Sequence, residues 1–83
     1  MDLSKVEHSM TSILEQNRSI IDITTTKQEL YETLKTCFEK NKLNTPASNR
    51  LLTNIMNARN FMDAISAVYN SILAGNELSV LQI

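Results

Sequence analysis

His8 and Cys37 are the two side chains in this sequence best suited to reactive or metal chemistry, and each is the only residue of its type. His8 lies off the apolar seam of the N-terminal segment, and no motif holds a carboxylate or a second ligand beside it, so it reads as an exposed histidine. Cys37 stands next to Phe38 on a helix face. Nothing nearby would lower its pKa, which makes it a small core residue rather than a reactive thiol. A lone cysteine allows no disulfide framework, and one His with one distant Cys makes no metal site. Asp22, Asp63 and the glutamates are dispersed, with no spacing that pairs two of them as acid and base. Gly75 is the only glycine, so a glycine-rich phosphate loop is out of the question. The sequence therefore predicts no catalytic, cofactor-binding or metal-binding residue, and a protein that is not an enzyme.

What the chain does carry is apolar side chains at helical spacing. From Thr45 to Gly75 the pattern predicts one long helix, with Thr45 as N-cap, Pro46 at the first helical position and Gly75 as the stop. Leu51, Ile55, Ala58, Met62, Ile65, Tyr69 and Ile72 follow the alternating three-and-four spacing of a packing seam. Leu52, Phe61, Val68 and Leu73 flank it, and the charges are confined to Arg50, Arg59 and Asp63. That apolar arc is wider than one neighbouring helix covers. Met62 and Ile65 are expected to fill the core. For Phe61, Val68 and Ile72 a core role and an intermolecular role are both open. The i, i+4, i+7, i+11 spacing of Phe61, Ile65, Val68 and Ile72 suits a helix laid in a partner's groove. Phe61, Ile65, Val68, Tyr69 and Ile72 are the candidate partner-binding residues, with Asn54, Asn57, Asn60 and Asn70 as a polar rim.

Elements upstream must support that helix. Leu3, Val6, Met10, Ile13 and Ile20, with Leu14 and Ile21 beside them, predict an amphipathic helix over 3–21. Three consecutive threonines, Thr24 to Thr26, disfavour its continuation. Thr26 and Glu29 match a capping box that starts a second helix over 27–42, with Leu30, Leu34, Cys37 and Phe38 inward. A single bent helix from Leu3 to Asn41 is the competing arrangement. The turn through Asn44, Thr45 and Pro46 makes the flanking helices antiparallel neighbours. The expected fold is all-α: an antiparallel helical hairpin whose first arm is broken near Thr24, giving helices at 3–21, 27–42 and 46–74. Residues 1–75 form one domain and 76–83 a short apolar tail.

Eighty-three residues make one domain at most, and a domain this small buries only about 60–65% of its unfolded surface. A net charge of −1 with scattered cations gives no basic face for nucleic acid. No apolar run reaches the roughly 20 residues of a membrane span. The N-terminus lacks the basic start and apolar core of a cleavable signal. These features predict a cytoplasmic protein with no nucleic-acid partner and no membrane insertion, and homodimerisation in isolation is one way to cover surplus apolar area.

The second half resembles the small helical co-chaperones of type III secretion needle subunits, above all those of the Salmonella pathogenicity-island-2-type systems and their Edwardsiella counterpart. The similarity lies in Asn49-Arg50-Leu51-Leu52 through Ile55, Ala58, Phe61, Met62, Ile65 and Tyr69-Asn70. The first half matches in character only, and Thr24 to Thr26 depart from the uninterrupted first helix of that family. The resemblance implies a hairpin that docks on a tetratricopeptide-repeat chaperone and helps keep the needle subunit unpolymerised before export, a role in virulence-associated protein transport. Two rivals stand beside it. One is a needle or inner-rod structural subunit, for which the proline-containing turn speaks and the missing aromatic N-terminal segment speaks against. The other is a small phage- or plasmid-type helical inhibitor.

Overall fold

A computed structural model describes the backbone of residues 3–81 and the side chains of 10–75. It is all-helical, with five helices among the described residues: α1 (Leu3–Gln16), α2 (Arg18–Asp22), α3 (Lys27–Lys40), α4 (Pro46–Asn57) and α5 (Phe61–Leu81). None of them is long and apolar enough to cross a membrane.

The helix expected over 3–21 is two, α1 and α2, because short polar side chains break the first arm. At Asn17 the side-chain amide and the backbone N–H both donate to the Ile13 carbonyl, 2.8 and 3.2 Å away, which closes α1 and turns the chain into α2. A second break follows at 23–26, where the threonines predicted it. The buried Thr24 hydroxyl donates to the Ile21 carbonyl at 2.7 Å. Thr26 caps α3 by accepting from the Glu29 N–H at 3.1 Å. The Glu29 carboxylate accepts in return from the Thr25 and Thr26 hydroxyls, at 2.7 and 3.2 Å. Those bonds, the Thr25 hydroxyl first, hold its pKa below the ordinary glutamate value.

The α3–α4 turn is also built locally. The Leu43 N–H reaches back to the Phe38 carbonyl at 2.8 Å and the Lys42 N–H to Glu39 at 3.1 Å. Lys42 takes the left-handed conformation (φ 54°) that such a helix end requires. Thr45 and Ser48 then cap α4 reciprocally, and Pro46 begins it, as the sequence predicts.

The helix expected over 46–74 is instead two. It ends at Asn57, Ala58 is extended (ψ 148°), and α5 begins at Phe61 after the Asn60 side chain accepts from the Asp63 N–H at 3.0 Å. A continuous helix over that range would run about 44 Å, longer than the 36 Å greatest dimension of the molecule. Folding α5 back buries more of the core than a protruding rod could. Gly75 does not stop the helix either, and α5 runs on to Leu81. The tail expected at 76–83 is thus helical through residue 81, while its side chains and residues 82–83 lie outside the description. The side chain of His8 does too.

The pairs α3–α4 and α1–α5 pack antiparallel. Lys27 at the start of α3 reaches the carbonyls that end α4. Thr11 of α1 meets Gly75 of α5, whereas Asp22 of α2 meets Tyr69, earlier in α5. The core joins Met10, Ile13 and Leu14 of α1, Ile21 of α2, Leu30, Leu34, Cys37 and Phe38 of α3, Leu51 and Ile55 of α4, and Ala64, Val68 and Ile72 of α5. All four α3 residues expected inward are inward. Ile20, placed on the first seam by its spacing, is exposed instead, because the turn at Asn17 resets the helical phase and brings Ile21 to the inside.

Candidate partner-binding surface

The break at Ala58 to Asn60 decides which face of α5 is free. Three non-helical residues rotate α5 relative to α4, so the seam that runs smoothly from Leu51 to Ile72 in sequence is split. In α5 the inward residues are Ala64, Val68, Ile72 and Gly75, with Phe61 and Ile65 packed against them. Met62 and Leu73 face outward, 69% and 59% exposed.

Of the five candidate partner-binding residues, Val68 is fully buried and Ile72 nearly so. Neither side chain is available to another molecule, and their binding role is replaced by a core role. The physical reason is the phase shift at the break together with α1, which packs on α5 as closely as a glycine allows. A Cβ on Gly75 would stand 1.6 Å from the Thr11 hydroxyl oxygen and 2.8 Å from its Cβ. Phe61, Ile65 and Tyr69 are half-buried at the edge of the core. Met62, expected in the core, is instead the most exposed large apolar side chain among the described residues of α5.

Met62, Ile65, Tyr69 and Leu73 fall on one stripe of α5, at i, i+3, i+7 and i+11, and form the outer apolar face of the helix. Tyr69 ties this stripe to α2. Its hydroxyl donates to Asp22 Oδ1, and the Arg18 guanidinium lies 5.4 Å from its ring centroid. Arg18 Nε is 3.8 Å from Asp22 Oδ2, so the three side chains form one surface cluster. The bond to Asp22 raises the Tyr69 pKa above that of an ordinary phenol. Ile23, one residue beyond Asp22, is 75% exposed and adds apolar surface at that edge. Across the break stands Met56, also exposed.

Cys37 is buried in α3, and that burial raises its thiol pKa. No cluster of three or more metal-capable side chains occurs among the described residues. Every described buried polar side-chain atom has a hydrogen-bond partner, so none is left aimed into a pocket to await a ligand. The cleft between α1, α4 and α5, lined by Met10, Arg50, Asn54 and Ser71, holds about 150 Å³, well below the 300 Å³ or more of a usual small-molecule site. A larger groove between α3 and α4 holds about 500 Å³, is open to solvent and has Lys35, Glu39 and Lys42 on its rim.

Three structural residues escaped the sequence reading. Asn60 with Asp63 is an N-cap signal, an Asx residue followed three positions later by an acid, hidden inside a strongly helical stretch. Lys27 closes the end of α4 through its ammonium group, 3.1 Å from the Met56 carbonyl and 2.7 Å from that of Ala58, a contact across about 30 positions that no local pattern encodes. Ala64 is fully buried, at a size that gave it little weight in a pattern of larger side chains. No known family model, curated protein or solved structure matches the chain.

Proposed function

We propose that the chain is a non-catalytic cytoplasmic co-chaperone that binds a tetratricopeptide-type chaperone and helps keep a type III secretion needle subunit unpolymerised. The observation that carries the binding part is the outward edge of α5: Met62, Ile65, Tyr69 and Leu73 form an apolar stripe about three turns long, with Met62 and Leu73 more than half exposed. Isolated surface leucines are ordinary, but a continuous stripe at groove-binding spacing is the form helical recognition takes. The similarity of residues 49–70 to the co-chaperone family supplies the partner class. A repeat-built chaperone with an uncapped apolar end is a surface such a stripe can cover.

The test is co-expression with a tetratricopeptide chaperone and its needle subunit, followed by size-exclusion chromatography. The three are expected to co-elute, and Met62→Asp with Leu73→Asp is expected to weaken the association about a hundredfold, as loss of central apolar anchors does. A folded chain that elutes apart from both would refute the reading. Filaments formed by the chain alone would mark it as a structural subunit instead, and capture of a host enzyme as an inhibitor.

A further inference from the structure

We infer that the groove between α3 and α4 binds a small amphiphilic carboxylate, an acid with one charged head and an aliphatic or aromatic body. The inference is independent of the partner proposed above, since none of the residues lining this groove belongs to α5. The groove holds about 500 Å³, inside the range of small-molecule sites, which the cleft between α1, α4 and α5 does not reach. Its floor is apolar. Phe38 is buried, and Tyr31, Leu43 and Leu52 are half-buried where they pack on the core. Tyr31 and Phe38 lie on one face of α3, about 10 Å apart along its axis. Leu52 covers the α4 side. Met56, one turn further along the same face of α4, is 55% exposed. Its carbonyl accepts from Lys27 at the start of α3, so Met56 stands at the Tyr31 end of the groove and extends the apolar surface there.

Polar groups gather at the other end, which the α3–α4 turn walls off. Lys42 and Asn44 of that turn line the groove on either side of Leu43. The Asn44 amide oxygen accepts from Asn49 Nδ2 at 3.0 Å, which leaves its NH2 group to donate. Lys35 adds a second ammonium group on the α3 rim, and Glu39 is the carboxylate among the charged side chains that line the groove. Two cations thus face one anion, and among the described residues neither lysine forms an ion pair. The unmatched positive charge selects the sign of the ligand. A carboxylate can accept from the Lys42 ammonium and the Asn44 NH2 together, as charge-assisted bonds. Its body then lies over Leu43, Phe38 and Leu52 toward Tyr31. One walled polar end and one open apolar end suit a ligand with a single head and a tail, whereas a helix running the length of the groove would meet the turn.

An amide NMR titration of the isotope-labelled chain tests this with sodium octanoate, neutral octanol and cationic octyltrimethylammonium, three probes that share one tail. Octanoate is expected to give saturating shifts at Phe38, Leu43, Asn44 and Leu52, half complete below about 3 mM. Octyltrimethylammonium is expected to bind at least about tenfold more weakly. Lys35→Gln with Lys42→Gln should weaken octanoate at least about fivefold and leave the response to octanol unchanged. Intermolecular nuclear Overhauser contacts are expected between the octanoate methyl group and the Tyr31 ring, and between its carboxylate end and Leu43. Equal binding of the cationic probe, a reversed tail, shifts centred on Met62 and Leu73, or no saturation by about 10 mM octanoate would each overturn the inference. So would the same shifts produced by raising the protein concentration alone, which would give the groove to a second copy. Should the double variant lose its helical circular dichroism, Lys42→Gln alone carries the same expectation, and its binding octanoate as tightly as the natural chain does overturns the role of the head group.

Discussion

The two faces of α5 contain similar side chains and do opposite things. Its inner face, Ala64, Val68, Ile72 and Gly75, is small and tightly opposed: Val68 has no accessible surface, and Gly75 meets Thr11 where a methyl group would not fit. Its outer edge is bulkier: Met62 and Leu73 stay open to solvent and Tyr69 between them is half-buried. Hydrophobicity alone does not separate them, since Leu73 and Ile72 are neighbours of nearly equal apolar character. The separation comes from size and phase. Small residues let α1 approach, and the turn at Ala58 to Asn60 sets which residues the approach covers. In a chain this short, burial follows the closest-packing face, and the larger side chains are left over for other uses.

Charges placed on the two faces test that contrast most severely. Val68→Asp buries an unpaired carboxylate and is expected to cost more than about 4 kcal/mol, comparable with the whole stability of a small domain. Its far-UV circular dichroism at 25 °C should be that of an unfolded chain; a folded Val68→Asp would place this residue outside the core. A smaller effect is expected at Gly75→Ala, where two contributions have opposite signs. Helix propensity alone predicts a gain of about 1 kcal/mol. Overpacking against Thr11, whose Cβ as well as hydroxyl is too close, predicts a loss of about 1–3 kcal/mol. The clash cannot be relieved by rotating Thr11, so the loss wins. Urea denaturation should show it, and Thr11→Ala should recover part of it.

The same contrast explains how much was legible in the sequence. Much of the local chemistry was readable: the Thr26 cap, the Thr45–Pro46 start and the four inward residues of α3 all follow from side chains within a turn of one another, whereas the breaks capped by Asn17 and Asn60 were not read. The break at 23–26 belongs to this class, because three threonines disfavour the helix by themselves. The break at 58–60 does not. Ala58 and Arg59 favour helix, Asn60 is its one local signal, and it depends further on Lys27 from another helix and on the area gained when α5 folds back. A periodic pattern carries no information about such a tertiary contact, so the seam was extended straight through it. That one error placed Met62 inside and left the core role of Val68 undecided, whereas the structure exposes Met62 and buries Val68. An amphipathic helix announces that it has an apolar face; which part of that face its own chain covers depends on where the helix starts.

At the outer face the expected effects on folding are smaller still, and pH resolves them. Tyr69→Phe removes one surface hydrogen bond and is expected to cost no more than about 0.5 kcal/mol at neutral pH. The Tyr69 pKa is raised in the folded state, chiefly because its hydroxyl donates to the Asp22 carboxylate. The stabilisation is therefore fully present below the unfolded phenol's pKa, near 10, and is lost as pH rises through the higher folded value. Stability of the natural chain should fall across that alkaline window more steeply than that of Tyr69→Phe, with the two curves parallel at lower pH. Equal slopes would mean that the Asp22 bond is not kept in solution. Leu73→Asp marks the low end of the scale. Its side chain is 59% exposed, so its urea midpoint should lie within about 0.5 kcal/mol of the natural chain. A loss as large as that of Val68→Asp would mean both faces of α5 are core, leaving no apolar stripe for a partner.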